Sequence, residues 1–439
     1  MADPVAALAK IAERRPILID LGLERMEAAL ERLGRPQDRA PPVFHVAGTN
    51  GKGSTCQYIR AILEASGARV HVYTSPHLVR FNERIVLAGR EIDDETLVEA
   101  LTRCDREVGA KQLTFFEAAT CAAFLAFSEH PADYLVLEVG LGGRLDATNV
   151  IDRPLASVVA PVGLDHQHFL GETIAEIARE KAGVFRRGAP AAVGVQTPEA
   201  MAAIEACAAE TGADLFAYGS SWSAYEEHGR LVYQDDEGLK DLDPPKLLGA
   251  HQVMNAALAV AAVQAAGLRL DDATISRGIG AARWPARMQR LKTGPIVDFV
   301  RARLPGEPDV WLDGGHNPHA AQAVAATLAD IEEKSPRPLV LIAGMQATKD
   351  AEGFFAAFAG IAAAAFAVQA DHEGSSPAAD VAAAAARAGI PARPCASIAE
   401  ALEAAVGAGR APVRILICGS LYLAGHVLGL QEGVEPQAN

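Results

Sequence analysis

The sequence predicts a two-domain α/β protein, and three observations carry that prediction. Short apolar runs of strand length alternate with helical runs along nearly the whole chain, the pattern of parallel sheets covered by helices. A glycine-rich loop, Gly48-Thr49-Asn50-Gly51-Lys52-Gly53-Ser54-Thr55, stands between one such strand (Val43 to Val46) and a helix (Cys56 to Ala65). At 439 residues the chain exceeds what one typical core encloses. Composition agrees: 50% of residues are hydrophobic and 22% charged, as in globular proteins. A net charge of −15 argues against non-specific nucleic-acid binding, while leaving room for a local basic pocket for an anionic substrate. No apolar run is long enough to span a membrane, and Met1 to Lys10 lacks a signal-peptide pattern, so a cytoplasmic protein is expected. Cys56, Cys104, Cys121, Cys207, Cys395 and Cys418 show neither C-x-x-C nor zinc spacing and read as buried thiols.

Taken in order, residues 5–34 read as helical with a break at Arg15-Pro16. Within them Leu21-Gly22-Leu23-Glu24-Arg25 is, by composition, an ordinary helix start. Arg35-Pro36 to Pro41-Pro42 is a linker. In the glycine loop, backbone N–H groups and the following helix N-terminus suit a phosphate. Lys52 is placed to neutralise phosphate charge, and the Ser54 or Thr55 hydroxyl to ligate Mg²⁺. The loop departs from G-x-x-x-x-G-K-[ST]: Val46 stands at the first glycine and Gly53 at the hydroxyl.

Val70 to Tyr73 reads as a second strand, with Arg80 and Arg84 beyond its end. Either arginine would meet an anionic substrate or lie as a solvated charge. Asp93 to Val108 and Phe115 to Ser128 are helical by periodicity. Thr114-Phe115-Phe116-Glu117 heads the second; its phenylalanines read as core, or as an aromatic face for a flat heterocycle. Tyr134 to Gly140 is a buried-type strand ending in Glu138, a candidate Mg²⁺ ligand or a structural acid. A glycine-rich loop with a dense polar set, Leu141 to Asn149, follows it. Ala156 to Val162 is the next strand, and His166 follows at the same sheet edge as Glu138 and Lys52.

Thr173 to Glu176 fits a capping box, and Gly183 reads as the residue ending that helix at C′. Lys181 falls on the apolar face of Ile174, Ile177 and Ala178. A lysine turned inward must be neutral, paired or modified, for instance as a CO₂ carbamate; otherwise it snorkels to solvent. Ala191 to Val195 is a strand and Pro198 to Glu210 a helix, while residues 214–247 read as β-like and peripheral. His251 to Ala266 is helical and sets His251 and Asn255 on one face; that amide would contact a base or act as a cap.

Trp284-Pro285-Ala286-Arg287 reads as a hinge into a second α/β domain. Its strand candidates are Ile296 to Val300, Val310 to Asp313, Leu339 to Ala343, Phe366 to Gln369 and Arg414 to Cys418. The alanine runs Ala362 to Ala365 and Ala382 to Ala386 read as helix formers. Asp313-Gly314-Gly315-His316-Asn317-Pro318 repeats the earlier logic of an acid at a strand tip, a glycine turn and a helix.

Three stretches together resemble the dihydrofolate synthase/folylpolyglutamate synthase family of the Mur-ligase superfamily. They are Gly48 to Ser54, Leu137-Glu138-Val139-Gly140-Leu141-Gly142-Gly143-Arg144-Leu145-Asp146-Ala147-Thr148-Asn149, and Leu312 to Pro318. The resemblance implies a P-loop-type N-terminal ATPase domain (1–284) plus a smaller Rossmann-like α/β glutamate ligase domain (285–439). It implies that Gly48, Thr49, Asn50, Gly51, Lys52, Gly53, Ser54, Thr55, Asn255, Arg287, Asp313 and His316 bind ATP, with Lys52, Lys181, Asp313 and His316 catalytic. It further implies two Mg²⁺ sites from Ser54, Glu138, His166 and a carbamylated Lys181. Gly22, Leu23, Arg80, Thr114, Phe116 and Asp146 are assigned to dihydropteroate or folate. The implied chemistry joins L-glutamate to dihydropteroate, and to the γ-carboxylate of folates, through an acyl phosphate. Closure about Trp284 to Arg287 is expected with it. The expected partners are these small molecules alone, with a monomeric protein, no nucleic acid and no membrane. The rival readings are a monofunctional folylpolyglutamate synthase, a Mur ligase of peptidoglycan synthesis, and a nucleotide-binding regulator that uses the loop as a switch. The Mur ligase would need a further domain ahead of the loop, where about 42 residues stand. The regulator would leave Asp313 to His316 and Lys181 unexplained.

Overall fold

The computed structural model describes residues 20–109, 113–407 and 412–437, with Pro4, Ala6 and Ala7. Most of the helix expected over 5–34, including its break at Arg15-Pro16, lies outside them; within them the helix is Glu24–Arg32. The chain divides into two units. Unit 1 is Met1–His77, Phe81–Lys246 and Gln252–Arg283, and unit 2 is Leu78–Arg80, Leu247–His251 and Trp284–Asn439.

Unit 1 is built on strands β1 (Val43–Ala47), β2 (Val70–Tyr73), β3 (Ile85–Leu87), β4 (Arg90–Glu91), β5 (Tyr134–Glu138), β6 (Ala156–Val159), β7 (Pro190–Val193) and β8 (Asp214–Ala217). They form one sheet in the order β4-β3-β2-β5-β1-β6-β7-β8, parallel from β2 to β8. β1 lies between β5 and β6, with Val46 opposite Glu138 and Ala47 opposite Val159. The chain leaves β1 toward one side of the sheet and β6 toward the other, which opens a crevice at their carboxyl ends. These central strands are buried along their length, as a sheet covered on both faces requires.

One layer of the covering is the helix Phe115–Glu129, nearly all apolar and buried. Its N-terminus is a full capping box: Thr114 accepts from Glu117 N, and the Glu117 carboxylate accepts from Thr114 N. Thr173 and Glu176 form a second capping box on the helix Ile174–Ala182. The segment expected to be peripheral splits: Asp214–Ala217 closes the main sheet as its edge strand, because its backbone pairs with β7. The rest makes an antiparallel three-stranded sheet of β9 (Trp222–Glu227), β10 (Arg230–Asp235) and β11 (Gly238–Leu242). β9 and β10 are joined by the two residues His228 and Gly229, both at positive φ (51° and 73°), a type I′ turn.

Unit 2 carries β12 (Gln289–Leu291), β13 (Asp309–Leu312), β14 (Leu339–Ala343), β15 (Ala362–Ala367), β16 (Ala392–Pro394) and β17 (Arg414–Cys418). The order is β12-β13-β17-β14-β15-β16, with only β12 antiparallel. Two expectations are corrected here. Ile296 to Val300 is not a strand but lies in the helix Pro295–Arg301. Pro295 at its first turn presets helical φ, and buried Ile296, Val297 and Val300 fall at i, i+1, i+4. Conversely, Ala362 to Ala365 is not helical but opens β15. Pairing of Ala362, Ala364 and Ala365 with β14, and of Ala365 also with β16, overrides alanine's helix propensity. Among the described residues, no helix is long and apolar enough to cross a membrane.

Candidate active site

β1 runs directly into the glycine loop, whose first turn is tied to the strand beside it. Thr49 N and Asn50 N donate to Pro161 O at 3.0 and 3.2 Å, and Thr49 Oγ1 donates to Gly163 O at 3.1 Å. Gly51 is the N-cap of the helix Lys52–Ala65 at φ +84°, and a Cβ there would fall 2.4 Å from Asn255 Oδ1. Only glycine lets the loop pass under the buried Asn255 amide. Gly53, Ser54 and Thr55 are buried in the first helical turn. The Ser54 and Thr55 hydroxyls have no hydrogen-bond partner among the described residues. Orphaned buried hydroxyls are costly in a folded protein, and a polar ligand at the loop is one way to satisfy this pair. The Lys52 ammonium donates to Thr49 O at 3.3 Å, folded over its own loop.

Glu138, at the end of β5, is buried, and its Oε2 accepts from Ser75 N at 3.2 Å. Lys181 is buried at 4% exposure, and its Nζ donates to Gly48 O at 2.9 Å. Burial, then the nearby Lys52 charge, draw its amine down to about 7, against the pull of Asp165, Asp146 and Glu180. The inward reading of Lys181 therefore holds over snorkelling. Gly183 does not end the helix in a left-handed C′ conformation; its φ is −60°. It is glycine because a Cβ would meet Arg144 Cβ at 2.4 Å. Gly143 faces the same junction, where a Cβ would lie 2.6 Å from Glu180 O. The glycine-rich loop is thus pressed onto the end of the Lys181 helix, and Asn149 Nδ2 bridges Arg144 O and Gly183 O.

The other end of that loop meets Phe116: a Cβ on Gly140 would lie 2.4 Å from its ring. Asp146 is buried; Leu141 N donates to Oδ2 at 2.8 Å, and Thr148 N and Oγ1 donate to Oδ1 at 3.0 and 2.6 Å. Burial pushes the Asp146 carboxyl up, and these hydrogen bonds oppose it. Gly22 and Leu23 are half-buried ahead of the helix Glu24–Arg32. Arg25 anchors them, donating to the Glu117 carboxylate at 2.9 Å and to Asp20 O at 2.7 Å.

The remaining expectations divide. His166, at φ 52° after β6, has a side chain 39% exposed beside Asp165. Among the described residues no three His, Cys, Asp or Glu side chains gather as a ready-made metal set. Arg84 is buried, not solvated: its Nε donates to His77 Nδ1 at 2.9 Å, with Phe81 and Phe115 rings 5.2 and 5.7 Å away. Arg80 is exposed.

In unit 2, Asp313 at the tip of β13 is buried and accepts from Met288 N and Gly315 N at 2.8 and 2.7 Å. Arg287 donates to Ala286 O at 2.8 Å, and His316 Nδ1 lies 3.3 Å from Gly314 O. His251 belongs to this unit and to this cluster. Burial lowers its pKa, Asp313 opposes that, and Arg287 and His319 add to it.

Sequence reading passed over His45, a histidine inside a strand taken as apolar. It is 1% exposed and hydrogen-bonds Thr148 Oγ1 at 2.9 Å. A polar residue amid Val43, Phe44 and Val46 in a central strand was the signal, since buried polar groups need partners.

A family model described as Mur ligase middle domain matches residues 46–263, and one described as Mur ligase, glutamate ligase domain matches residues 298–421. A protein of Escherichia coli (strain K12) named dihydrofolate synthase/folylpolyglutamate synthase is 35% identical over 97% of this chain and 95% of its own. The structure of E. coli FolC in complex with DHPP and ADP matches with a TM-score of 0.87 at 34% identity, covering 98% of both chains. A bifunctional folylpolyglutamate synthase/dihydrofolate synthase with Mn, AMPPNP and L-glutamate bound matches with a TM-score of 0.84 at 33% identity, covering 97% of this chain and 98% of that one. With both Mur ligase domains matched and relatedness running along nearly its whole length, the chain belongs to the dihydrofolate synthase/folylpolyglutamate synthase family of Mur ligases.

Proposed function

We propose that this chain is bifunctional: one site joins L-glutamate first to dihydropteroate, forming dihydrofolate, and then to the γ-carboxylate of folates. Family membership makes it an ATP-dependent ligase of glutamate to folates. The observation that carries the residue assignment is the junction of Gly48, Lys181 and the two orphaned hydroxyls at one crevice. In the proposed reaction the substrate carboxylate attacks the γ-phosphate, and ADP leaves with the β–γ bridging oxygen. The amine of L-glutamate then attacks the acyl phosphate, loses a proton and expels phosphate. The protein positions reactants and balances charge.

The loop amides, Lys52 and Asn255 hold the nucleotide in this reading, and Arg287, Asp313 and His316 of the second unit are assigned to it as well. The Ser54 hydroxyl and the Glu138 carboxylate fit a hard cation that keeps most of its shell from phosphate and water, as Mg²⁺ does. A divalent ion, when bound, neutralises the charge that gathers about the γ-phosphate. A second such ion is assigned to Glu138, His166 and Lys181. Lys181 has the amine that reacts with CO₂, releasing a proton and leaving an anionic carbamate. Thr114, Phe116, Asp146, Gly22, Leu23 and Arg80 are assigned to the pterin substrate, and the domains to 1–284 and 285–439. A monomeric, cytoplasmic protein completes the reading.

The test offers ATP, Mg²⁺ and L-glutamate with 7,8-dihydropteroate, a tetrahydrofolate or a muramyl nucleotide, and follows ADP and product. Product from both folate precursors is expected. Product from one alone overturns bifunctionality, and product from the muramyl nucleotide alone overturns the substrate class.

A further inference from the structure

His45 lies in the middle of β1, which ends in the phosphate loop, and its ring hydrogen-bonds a buried hydroxyl from a distant segment. Its Nε2 lies 2.9 Å from Thr148 Oγ1, and that oxygen lies 2.6 Å from Asp146 Oδ1. All three side chains are at most 2% exposed. The direction of the two hydrogen bonds follows from the donors around Asp146. Leu141 N donates to Oδ2 and Thr148 N to Oδ1, so both oxygens already accept. A carboxylate fits that set, and 2.6 Å is the length of an O–H···O⁻ bond. The single proton of the Thr148 hydroxyl is therefore spent on Asp146, and Thr148 can only accept from His45.

We propose that His45 is a positioning residue: its neutral imidazole donates from Nε2 to Thr148, aims that hydroxyl at Asp146, and so fixes the loop 140–143 between Phe116 and the Lys181 helix. The proposal rests on the reading above that Phe116 and Asp146 border the pterin substrate. The loop transmits the arrangement because it has no freedom at either end. Gly140 is against the Phe116 ring, Gly143 against Glu180 O, and Leu141 N is held by Asp146 itself. Burial, with the charge of Arg186, holds the His45 ring neutral by drawing its pKa down to about 3. Donation from Nε2 is thus constant across the working range of a cytoplasmic enzyme.

Two measurements test this. Proton–nitrogen NMR on the ligand-free wild-type protein is expected to show His45 as the Nε2–H tautomer, unchanged between pH 5 and 8. The Nδ1–H tautomer would mean the relay runs from a protonated Asp146 toward His45, and would overturn the proposal. In steady-state kinetics, His45→Leu removes the donor, while His45→Gln keeps one near the Nε2 position. His45→Leu is expected to raise KM for dihydropteroate ~10-fold with KM for ATP within about 2-fold, and His45→Gln to restore it to within about 3-fold. Equal effects of the two variants, or an equal rise in KM for ATP, would reduce His45 to packing and overturn the proposal. Should His45→Leu not fold, Thr148→Val carries the same KM expectation. The tautomer spectrum is independent of turnover, so failure of the ligase assignment leaves the test of His45 standing.

Discussion

The Nζ of Lys181 donates to the carbonyl oxygen of Gly48 across 2.9 Å, joining residues 133 positions apart. On its other side Thr49 and Asn50 tie this glycine loop to Pro161. The loop is thus held between the strand beside it and the Lys181 helix, and any change in the state of the amine reaches the loop backbone.

The first prediction concerns pH. The folded-state pKa of Lys181 is drawn down to about 7 from 10.5. Between those values the unfolded chain binds a proton that the folded one does not. Unfolding therefore takes up a proton, and stability rises with pH through that window. Below about pH 7 the amine is protonated in both states, and the cost of burying its charge is felt in full. Urea unfolding of the CO₂-free protein, in which Lys181 is a free amine, from pH 7 to 10 is expected to show a stability gain in the wild type that Lys181→Met largely removes. Parallel pH profiles for the two proteins would refute it.

A second prediction separates stability from binding at Ser54. Its hydroxyl is buried with no partner among the described residues, so Ser54→Ala removes an unsatisfied group. Stability is expected to stay level or to rise by up to about 1 kcal/mol. Affinity for the Mg²⁺ nucleotide is expected to fall ~10-fold or more, read by calorimetry. A destabilised variant with unchanged nucleotide affinity would contradict this.

The close approach at the Lys181 helix supplies the third. A Cβ on Gly143 or Gly183 would sit 2.6 or 2.4 Å from atoms that have no room to move. Either alanine substitution is expected to cost about 2–4 kcal/mol. Gly280, in the helix Asp272–Ala281, has open space where a Cβ would stand, with nothing within 4 Å. Gly280→Ala is expected to stabilise by about 0.5–1 kcal/mol, giving an opposite sign in the same urea assay.

The fourth concerns Arg25 and Glu117, whose side chains are 29% and 4% exposed. Glu117 both pairs with Arg25 and accepts from Thr114 N at 2.7 Å. Glu117→Ala is expected to cost more than Arg25→Ala, because it also opens a helix cap and takes the buried partner from the arginine. A double-mutant cycle is expected to return a coupling of about 1–2 kcal/mol. A coupling near zero would mean the pair is incidental.

What the sequence made legible were features whose physics is local. The strand, glycine turn and helix around Gly51, the Thr173–Glu176 cap and the buried face holding Lys181 all follow from residues a few positions apart. What it hid depended on pairing across the sheet. Ala362 to Ala365 becomes a strand only because β14 and β16 flank it. Ile296 to Val300 has the apolar content of a strand, and Pro295 as a helix start decides against it. Gly183 has the spacing of a helix terminator, and only the approach of Arg144 explains it. His45 reads as part of an apolar strand because its partner, Thr148, comes from 103 residues away. Burial of Arg84 against His77, Phe81 and Phe115 is not visible in a segment that reads as open to solvent or to an anion.

The β9–β10 hairpin has a practical use. Its turn is two residues in the geometry that an inserted peptide can replace at both ends, and Tyr225, on β9, is 46% exposed. An affinity tag or fluorophore-binding peptide grafted between His228 and Gly229 would leave every strand of the eight-stranded and six-stranded sheets in place. The protein then carries its own handle for immobilisation or detection, with none of its six cysteines labelled.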